Sequence, residues 1–484
     1  MRGERGFILV TTLVIFLVLF ILGAAAMYIS EVGFRIHRAE TRWQALEKAS
    51  NSGLMKYASD VIKGTIRCGD SRTYSVNGVN VEVRAVSAGG SCFVWSKATM
   101  GDAKVVKVAN FNATSNTNYA AIVIRSLSNL VVDGSSSINS CDLDCRVPAV
   151  VIGNDIPDNY VENLVVNCPR NPKGINALVD PVVENAPMPP SLVERIFNGI
   201  NNRNDLLNLL SQRFSVTFNN GTPGGLSGVP ASCSFNYNNC TASGNTITCG
   251  KETITWNGTA YMVGTSVCPK IDLGPNATLT FSGVSFTGGG AIAANQITFS
   301  QRSGTSGDGE LVLVARNQIT MSSNNISISK PTHMFAQNYD ISGNGLNVNA
   351  TSVIYSGGAG VGNLNINLSS NSQLGTTENP VLIISDNNIN LSRNGTAEIN
   401  GVIFTTEANN NFSISGNGNF TIRGMIVSDS NRNNNLNISG NLSIWFDKGV
   451  IQKLNNKLGG LVKNPTCGVV SVKVPYINTK MTVY

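Results

Sequence analysis

The chain has 484 residues, a formal net charge of +6 and a mean hydropathy of +0.04, and 13% of its residues are charged. That charged share is about half of the roughly 25% typical of globular proteins, and 42% of the residues are apolar, so the composition excludes a disordered chain. The small positive charge comes with no basic stripe and no aromatic stacking motif, so the sequence does not indicate nucleic-acid binding.

The first predicted element is a membrane-spanning helix. An apolar run extends from Phe7 to Met27 without an ionisable side chain, and at about 1.5 Å rise per residue it spans roughly 30 Å of hydrocarbon. Arg2 and Arg5 precede the run and predict a cytoplasmic leader, so that the rest of the chain is exported. A cleaved secretory signal has a shorter apolar core followed by small residues, whereas here the small residues lie within the run. Representative residues of the helix are Leu9, Val14, Leu19, Leu22 and Gly23.

Gly6 followed by Phe7, at the start of the apolar run, resembles the processing site of type IV pilins and pilin-like proteins. The segments RGFILV and LGAAA, which start at Arg5 and Leu22, are most similar to the minor-pilin assembly family PilX. The resemblance implies that a prepilin peptidase cleaves between Gly6 and Phe7 and that the new N-terminus is methylated. Thr11 is a departure, because major pilins carry glutamate at this fifth mature position. An ordinary uncleaved signal anchor is the alternative.

The same resemblance implies where the protein resides and what it contacts. The precursor is expected in the inner membrane, with its leader in the cytoplasm and its head in the periplasm, and later in a pilus or at the cell surface. The expected partners are other minor and major pilins, the prepilin peptidase, the inner-membrane assembly platform and membrane lipids. A surface glycan or a host receptor is a further candidate partner, and no nucleic acid is expected.

Helical periodicity continues beyond the membrane segment. Apolar and small residues recur at spacings of three and four between polar positions, which predicts one stripe that faces a partner surface. In pilins such a stripe packs the second half of the first helix onto the protein's own globular domain, and we expect the same here. The stripe consists of Trp43, Leu46, Ser50, Leu54, Tyr57 and Val61.

Ten cysteines follow the membrane segment, and an even number in an exported region predicts disulfides. They are Cys68, Cys92, Cys141, Cys145, Cys168, Cys233, Cys240, Cys249, Cys268 and Cys467. Four of them lie between Cys233 and Cys268, where three pairings are possible, and pairing Cys233 with Cys240 and Cys249 with Cys268 closes the shortest loops. Zinc is disfavoured, because no Cys-x-x-Cys pair is present and the two histidines lie far from this cluster. No metal and no cofactor are therefore expected.

Residues 271–450 repeat a pattern of Asn, two alternating apolar residues, a Ser, Asn or Gly turn, and a second apolar run, about every 20 to 25 residues. This period predicts a β-solenoid, specifically a right-handed parallel β-helix of roughly seven coils stacked about 4.8 Å apart. The chain is therefore expected to be mainly β behind a long pilin-like helix. The predicted inward column is Ile389, Phe412 and Leu436, and the predicted asparagine column is Asn388, Asn411 and Asn435.

The segment from Tyr119 to Ile138 has a similar pattern of short apolar runs, so a solenoid that begins there and is then interrupted is also consistent with the sequence. The interruption is a short helical insertion, for which Ser191 and Glu194 form a candidate capping box. Solenoid domains behind PilX-like N-termini have a similar order. The predicted divisions are a leader 1–6, a pilin-like helix 7–62, a β-rich region 63–190, the insertion 191–214, Cys-rich loops 215–270, the solenoid 271–450 and a C-terminal cap 451–484.

The repeats contain one candidate catalytic or metal-binding site. Alignment of the repeats places Asp386, Thr406 and Asp429 in one column beside Glu407, and two coils separate the aspartates by about 9 to 10 Å, near the spacing of inverting glycosidases. Polar residues that end strands at a turn are the favoured interpretation, because no further acid, arginine or aromatic platform repeats on that face. Calcium at the same acids is a weaker alternative.

These observations favour a non-enzymatic minor pilin-like subunit of a type IV pilus or pseudopilus. Its expected role is to start filament assembly or to present the head as an adhesive tip. The alternatives are a membrane-anchored surface β-helix enzyme that acts on carbohydrate and a passive envelope adhesin that never enters a filament.

Overall fold

The structure, a computed structural model, divides into two compact units. The first unit comprises residues 1–113, 173–178 and 470–484, and the second comprises residues 114–172 and 179–469. The predicted boundaries divide the chain differently, because they place residues 63–190 in one region. The structure describes residues 4–62, 69–88, 91–113, 119–132, 137–139, 141–142, 145–147, 149–154, 182–183, 186, 188–358, 363–369, 371–386, 388–406, 412–417, 419–430, 434–438, 441–465 and 470–473.

The first unit is a long helix and an antiparallel sheet. A returning strand, Val470–Lys473, pairs with the fourth strand of this sheet, so the second unit is inserted in the chain between two neighbouring strands of the first. The other elements are α1 (Glu4–Ile62), β1 (Arg72–Val76), β2 (Val79–Ala88), β3 (Ser91–Met100) and β4 (Ala103–Ala113).

The second half of α1 packs on this sheet, as its stripe predicts. Leu46, Leu54 and Tyr57 are buried in one core with valines of β2, β3 and β4. At the centre the hydroxyl of Ser50 donates to the carbonyl oxygen of Ser96 (3.1 Å). The hydroxyl of Ser96 in turn donates to the carbonyl oxygen of Ser50 (2.9 Å). This exchange fixes the register of helix on sheet, because each buried hydroxyl would otherwise lose its only partner. The side chain of Val61 lies outside the described residues.

The first half of α1 has no such contacts. Every described side chain from Leu9 to Arg42 is exposed, including Leu9 at 71% and Leu22 at 60%, and a Cβ added to Gly23 would meet nothing within 4 Å. Within the described part of the chain, this helix alone is long and apolar enough to cross a membrane, with a window of mean hydropathy 2.8. The predicted membrane segment therefore presents an uncovered apolar surface.

The second unit is a β-solenoid with three faces of parallel strands. The prediction of a mainly β fold with about seven turns is confirmed, and its hand stays a prediction. Strands that turn a corner contribute to two faces. The first face contains Lys270–Asp272, Gly290–Phe299, Leu311–Met321, Thr332–Ile341, Val353–Ser356, Val381–Ser385, Ala397–Thr405, Asn419–Ser428, Ile122–Ile124, Val150–Ile152 and Val182–Val183.

The second and third faces complete each turn. The second face continues Gly290–Phe299, Leu311–Met321 and Thr332–Ile341 past their bends and adds Asn239–Ser243, Thr278–Phe281, Asn363–Ser369, Asn388–Asn394, Phe412–Asn417, Asn434–Ile438 and Leu127–Val132. The third face contains the first parts of Ala397–Thr405 and Asn419–Ser428 together with Gly304–Thr305, Ser327–Ile328, Asn347–Val348, Ser372–Leu374, Asn441–Phe446 and Ser137–Asn139.

The first face differs from the second in what it buries. Strands of the second face alternate, as in Asn388–Asn394, where only inward side chains are buried. In the first face every residue of Val353–Ser356 and of Val381–Ser385 is buried, which is the pattern of a sheet covered on both sides. The first face must therefore have a layer over its outer surface.

That layer comes from the helical insertion and the C-terminal helix of the unit. Phe197 meets Phe404 edge to face at 5.3 Å between ring centroids, and Phe214 meets Phe335 at 5.3 Å. The predicted capping box is not formed: the N-cap of α2 is Leu192, which makes no side-chain cap bond. The helices are α2 (Val193–Ile196), α3 (Arg203–Phe214) and α4 (Lys448–Lys457), and a hairpin of Val216–Asn219 and Thr222–Leu226 follows α3.

Asparagine ladders join successive turns, as the repeats predict. The side-chain amide of Asn388 donates to Asn363 at 3.3 Å, and that of Asn390 donates to Asn365 at 2.9 Å. The predicted neighbours Ile389 and Phe412 are paired in register. Asn411 lies outside the described residues, as do the side chains of Phe412, Leu436 and Asn435, so the remainder of both predicted columns stays a prediction.

The upstream segment from Tyr119 to Ile138 belongs to the solenoid, but it does not lie next to the start of the repeats at residue 271. It stacks on the last turn of the repeats, so the solenoid residues that come first in the chain cover the end of the stack at which the last repeat lies. The pairs are Ile122–Ile124 with Ile426–Ser428, Leu127–Val132 with Asn434–Ile438, and Ser137–Asn139 with Ser443–Trp445.

The opposite end carries an antiparallel meander held by two disulfides. Cys240 bonds to Cys249 and Cys233 to Cys268, so the pairing that closes the shortest loops is wrong. A nested pairing arises because Asn239–Ser243 and Thr246–Cys249 form a hairpin with Cys240 opposite Cys249. The other meander strands are Glu252–Trp256, Tyr261–Val263 and Ser266–Cys268, and a 3₁₀ turn at Ala231–Cys233 precedes the meander. A separate two-stranded sheet, outside the meander, pairs Cys141–Asp142 with Cys145–Arg146. Cys68, Cys168, Cys467 and the side chains of Cys92, Cys141 and Cys145 lie outside the described residues.

Gly53 provides a test of how α1 docks on its sheet. A Cβ at this position would lie 2.5 Å from Cγ1 of Val81, which is fully buried and cannot move aside. We therefore expect Gly53→Ala to destabilise the first unit by about 1 to 3 kcal/mol, because the helix is pushed off the sheet. Gly33→Ala is the matched control, since a Cβ there meets nothing within 4 Å and should stabilise the helix slightly. Thermal unfolding in detergent measures both, and equal melting temperatures would contradict the docking.

Candidate functional site

The predicted polar column exists at the end of the first face. Ser385 pairs with Thr405, and Thr405 pairs with Ser428, so the residues that follow them, Asp386, Thr406 and Asp429, succeed one another from turn to turn. The hydroxyl of Thr406 donates to Oδ1 of Asp386 at 2.5 Å. The alignment of the repeats is therefore confirmed at these positions.

Asp386 is fully buried, and its carboxylate accepts hydrogen bonds from Arg203, Tyr355 and Thr406. The guanidinium of Arg203, the first residue of α3, approaches Oδ2 through two nitrogens at 2.5 and 3.1 Å. The hydroxyl of Tyr355 donates to the same oxygen at 2.7 Å, and Thr406 occupies the other oxygen. Burial, and then the neighbouring carboxylate of Asp386, raise the pKa of Tyr355 well above its ordinary value, which keeps the phenol protonated as a donor.

Asp429 is likewise fully buried and tied to a different part of the chain. Nε of Arg125 lies 2.6 Å from Oδ1, while the hydroxyl of Ser191 (2.7 Å) and the backbone NH of Leu192 (2.9 Å) donate to Oδ2. Nearby, burial and then the charge of Arg125 lower the pKa of Arg195. Asp429 thus joins the last repeat turn, the upstream turn that stacks on it, and the start of the insertion.

These contacts decide what the column can do. Neither aspartate exposes any surface, and each already has a charged partner and hydroxyl donors, so the described structure leaves no room for a sugar between them. A general acid and base must reach the substrate and its water, which these two carboxylates do not. We interpret the column as the anchor of the covering layer. Glu407 lies outside the described residues, and the described residues contain no cluster of three His, Cys, Asp or Glu side chains that could hold a metal.

Sequence reasoning missed the partners of these aspartates. Arg125 and Asp429 are 304 positions apart and Arg203 and Asp386 are 183 apart, and no local pattern connects such residues. Ser191 was expected as a helix cap, and its hydroxyl does accept from the NH of Val193 at 3.2 Å while it donates to Asp429. A polar residue at the same strand end in successive repeats was the available signal.

The predicted processing residues, Gly6 and Phe7, lie in the first turns of α1, where side chains are outside the described residues. Downstream of them, Val14 and Leu19 are exposed at 50% and 60%, and Leu9, Leu22 and Gly23 are likewise uncovered. The first half of α1 is thus available to a membrane or to other apolar helices.

Comparison with known proteins places few constraints on this chain. No family model matches it, and no curated protein matches it in sequence. Among solved structures it is similar to the competence-associated pilin ComZ from Thermus thermophilus, with 11% identity and a TM-score of 0.32, over 91% of this chain and 97% of that chain. A TM-score this low does not establish a shared fold. The long apolar N-terminal helix fits a pilin.

The buried pair of Asp386 and Arg203 provides a test of the anchor. Asp386→Asn removes the carboxylate charge that pairs with Arg203 at a fully buried site, so we expect a loss of about 3 kcal/mol in the free energy of unfolding of the second unit. The control is Glu378→Gln, which removes a carboxylate that pairs with Lys453 at the exposed surface and should cost less than about 1 kcal/mol. Urea unfolding followed by circular dichroism compares them. An unchanged midpoint for Asp386→Asn would show that the pair does not hold the layer.

Proposed function

We propose that the chain is a minor pilin-like subunit of a type IV pilus or pseudopilus. The observation that carries the proposal is the division of α1: its second half is buried against an antiparallel sheet, and its first half is an uncovered apolar surface. A helix of this kind can reside in a membrane and then pack beside the helices of other pilins in a filament, because both environments accept the same apolar surface. The sequence RGFILV around Gly6 and Phe7 adds the processing site of a PilX-like protein.

The proposed role is not enzymatic. In support, the two acids that the repeats align, Asp386 and Asp429, pair with Arg203 and Arg125 and are fully buried. The inserted solenoid instead offers a large surface that a small pilin sheet lacks. We propose that it serves the start of assembly or adhesion at the cell surface, with other pilins, the prepilin peptidase and the inner-membrane platform as partners.

Processing tests the pilin-like class. If a prepilin peptidase cleaves between Gly6 and Phe7, mass spectrometry of the mature protein should find Phe7 as a methylated N-terminus. Gly6→Val should block cleavage, because a branched side chain crowds the scissile bond. Gly3→Val, which changes the other leader glycine, is the control and should leave processing intact. A surface form that retains Met1 would instead favour a passive envelope adhesin.

The position in a filament follows from Thr11. In major pilins the glutamate at this position neutralises the N-terminal amine of a neighbouring subunit, since an unpaired charge is costly in a low-dielectric bundle. Thr11 has no carboxylate, so the subunit fits best where no amine of a preceding subunit needs pairing, which is the tip. The large second unit would also crowd a shaft if it were repeated along it.

We therefore expect low copy number and a tip location. Immunogold labelling with antibody against the solenoid should place about one site per filament, at its end, and deletion of the chain should reduce piliation or adhesion. Dense labelling along the shaft would overturn the tip location. Normal piliation and adhesion in the deletion strain would overturn both proposed roles.

A further inference from the structure

A cleft of about 280 Å³ opens in the solenoid unit at the corner where the third face turns into the first. Its base contains His333 and Thr351, which are 1% and 5% exposed and come from successive turns. Its rim contains exposed residues from neighbouring turns and from the end of α4, including Glu310, Asn349 and Lys457. The cleft uses none of the residues of the polar column.

Two buried polar atoms at the base have no hydrogen-bond partner among the described residues. They are Nε2 of His333 and Oγ1 of Thr351. The backbone NH of Val353 donates to Nδ1 of His333 at 3.2 Å, so a neutral imidazole carries its hydrogen on Nε2 and presents it as a donor. A buried polar atom left unpaired costs about 1 to 3 kcal/mol. Both atoms belong to residues that line one cleft, so a ligand that supplies the missing bonds would be stabilised there.

The base and one wall are held in place before any ligand binds. The ring of Phe214 lies against the imidazole of His333 with 4.5 Å between ring centroids. The guanidinium of Arg213 donates to the carbonyl oxygen of Leu458, which lines the cleft beside the end of α4. Binding therefore needs little ordering of these groups, and this lowers the entropic cost of binding.

The charges around the cleft restrict the chemistry of the ligand. Oε2 of Glu310 lies 3.9 Å from Nε2 of His333, and interaction with this imidazole lowers the pKa of Glu310, so the carboxylate is ionised at neutral pH and opposes an anion. The ammonium of Lys457 and the Nε2 donor oppose a cation. The amides of Asn349 and Asn379 both donate and accept. A neutral molecule with several hydroxyl groups satisfies this mixture, because each hydroxyl also donates and accepts.

Apolar groups and size narrow the choice further. Pro331, Ala350 and Leu458 line the cleft between its polar groups and suit the C–H face of a sugar ring. The volume lies just below the range of about 300 to 1,000 Å³ typical of pockets for drug-sized ligands, which favours one ring rather than a longer chain. We propose that this cleft binds one residue of a neutral sugar. The proposal is independent of processing or filament entry, because every residue in it belongs to the solenoid unit.

The two histidines of the sequence allow a direct test. Full-length protein in detergent, labelled with ¹⁵N at histidine, gives ring signals from His37 and His333 only, and the variant His37→Gln assigns those of His333. The probes are glucose, galactose, mannose, N-acetylglucosamine and N-acetylgalactosamine. At least one should shift the Nε2–H signal of His333 saturably, with a dissociation constant on the order of 1 mM, and should do so far more strongly than the others.

Variants of matched chemistry locate the effect. Thr351→Val keeps the shape of the side chain but removes the hydroxyl, and should weaken sugar binding about tenfold. Thr298→Val changes a half-buried threonine of the second face and should bind as the native protein does. An unchanged position of the Nδ1 signal in Thr351→Val shows that the base of the cleft is still folded.

Three outcomes would overturn the proposal. One is that none of the five sugars moves the His333 signal. A second is that Thr351→Val binds sugar as tightly as the native protein. The third is that zinc, acetate or glycine moves the signal saturably at millimolar concentration while the sugars do not, which would assign the cleft to a metal, an anion or a zwitterion.

Discussion

The first face of the solenoid has to be covered on its outer side, and most of the second unit depends on this constraint. Strands such as Val381–Ser385 place apolar side chains both inward and outward, and an outer surface of that kind left in water would cost about 25 cal/mol for each Å² exposed. The chain supplies α2, α3, the following hairpin and α4 as the cover. Aromatic pairs such as Phe197 with Phe404 and Phe218 with Tyr355 fill the contact.

A cover that is only apolar could slide along a stack of similar turns. The buried aspartates remove this freedom, because Asp386 accepts from Arg203 at the start of α3 and Asp429 accepts from Ser191 at the start of the insertion. Buried ion pairs contribute little net stability, but a misplaced one leaves a charge unpaired at a cost of several kcal/mol. These carboxylates therefore fix the position of the covering layer along the solenoid. The layer, held in this position, places Phe214 against His333 beside the cleft.

The ends of a parallel solenoid present the second problem, since an open edge exposes unpaired NH and C=O groups to other chains. The meander with Cys240–Cys249 and Cys233–Cys268 covers one end. At the other end Ile122–Ile124 pairs with the last repeat and is followed by Val150–Ile152. The last repeat also finishes at this end, and Val470–Lys473, which follows in the chain, pairs with β4 of the first unit.

The sequence by itself determined the features that depend on neighbours in the chain. The apolar run before Tyr28, the stripe through Leu46, Ser50 and Leu54, and the repeat that aligns Asp386 with Thr406 are all periodic over a few residues or one turn. The inward or outward direction of Ile389 and Asn390 follows from strand alternation. These features were predicted because short-range geometry fixes them whatever the rest of the molecule does.

Tertiary structure decided everything that joins distant segments of similar character. Nothing local distinguishes Ile122–Ile124 as a neighbour of the last repeat rather than of the first, because parallel turns of this kind present the same backbone groups at both ends. The nested disulfides follow from the hairpin that brings Cys240 opposite Cys249, not from loop length. His333 and Thr351 look like ordinary strand residues in sequence, and only the packed corner leaves their polar atoms unpaired at the base of one cleft. Long-range pairing depends on the burial that the whole fold achieves, which short-range periodicity does not encode.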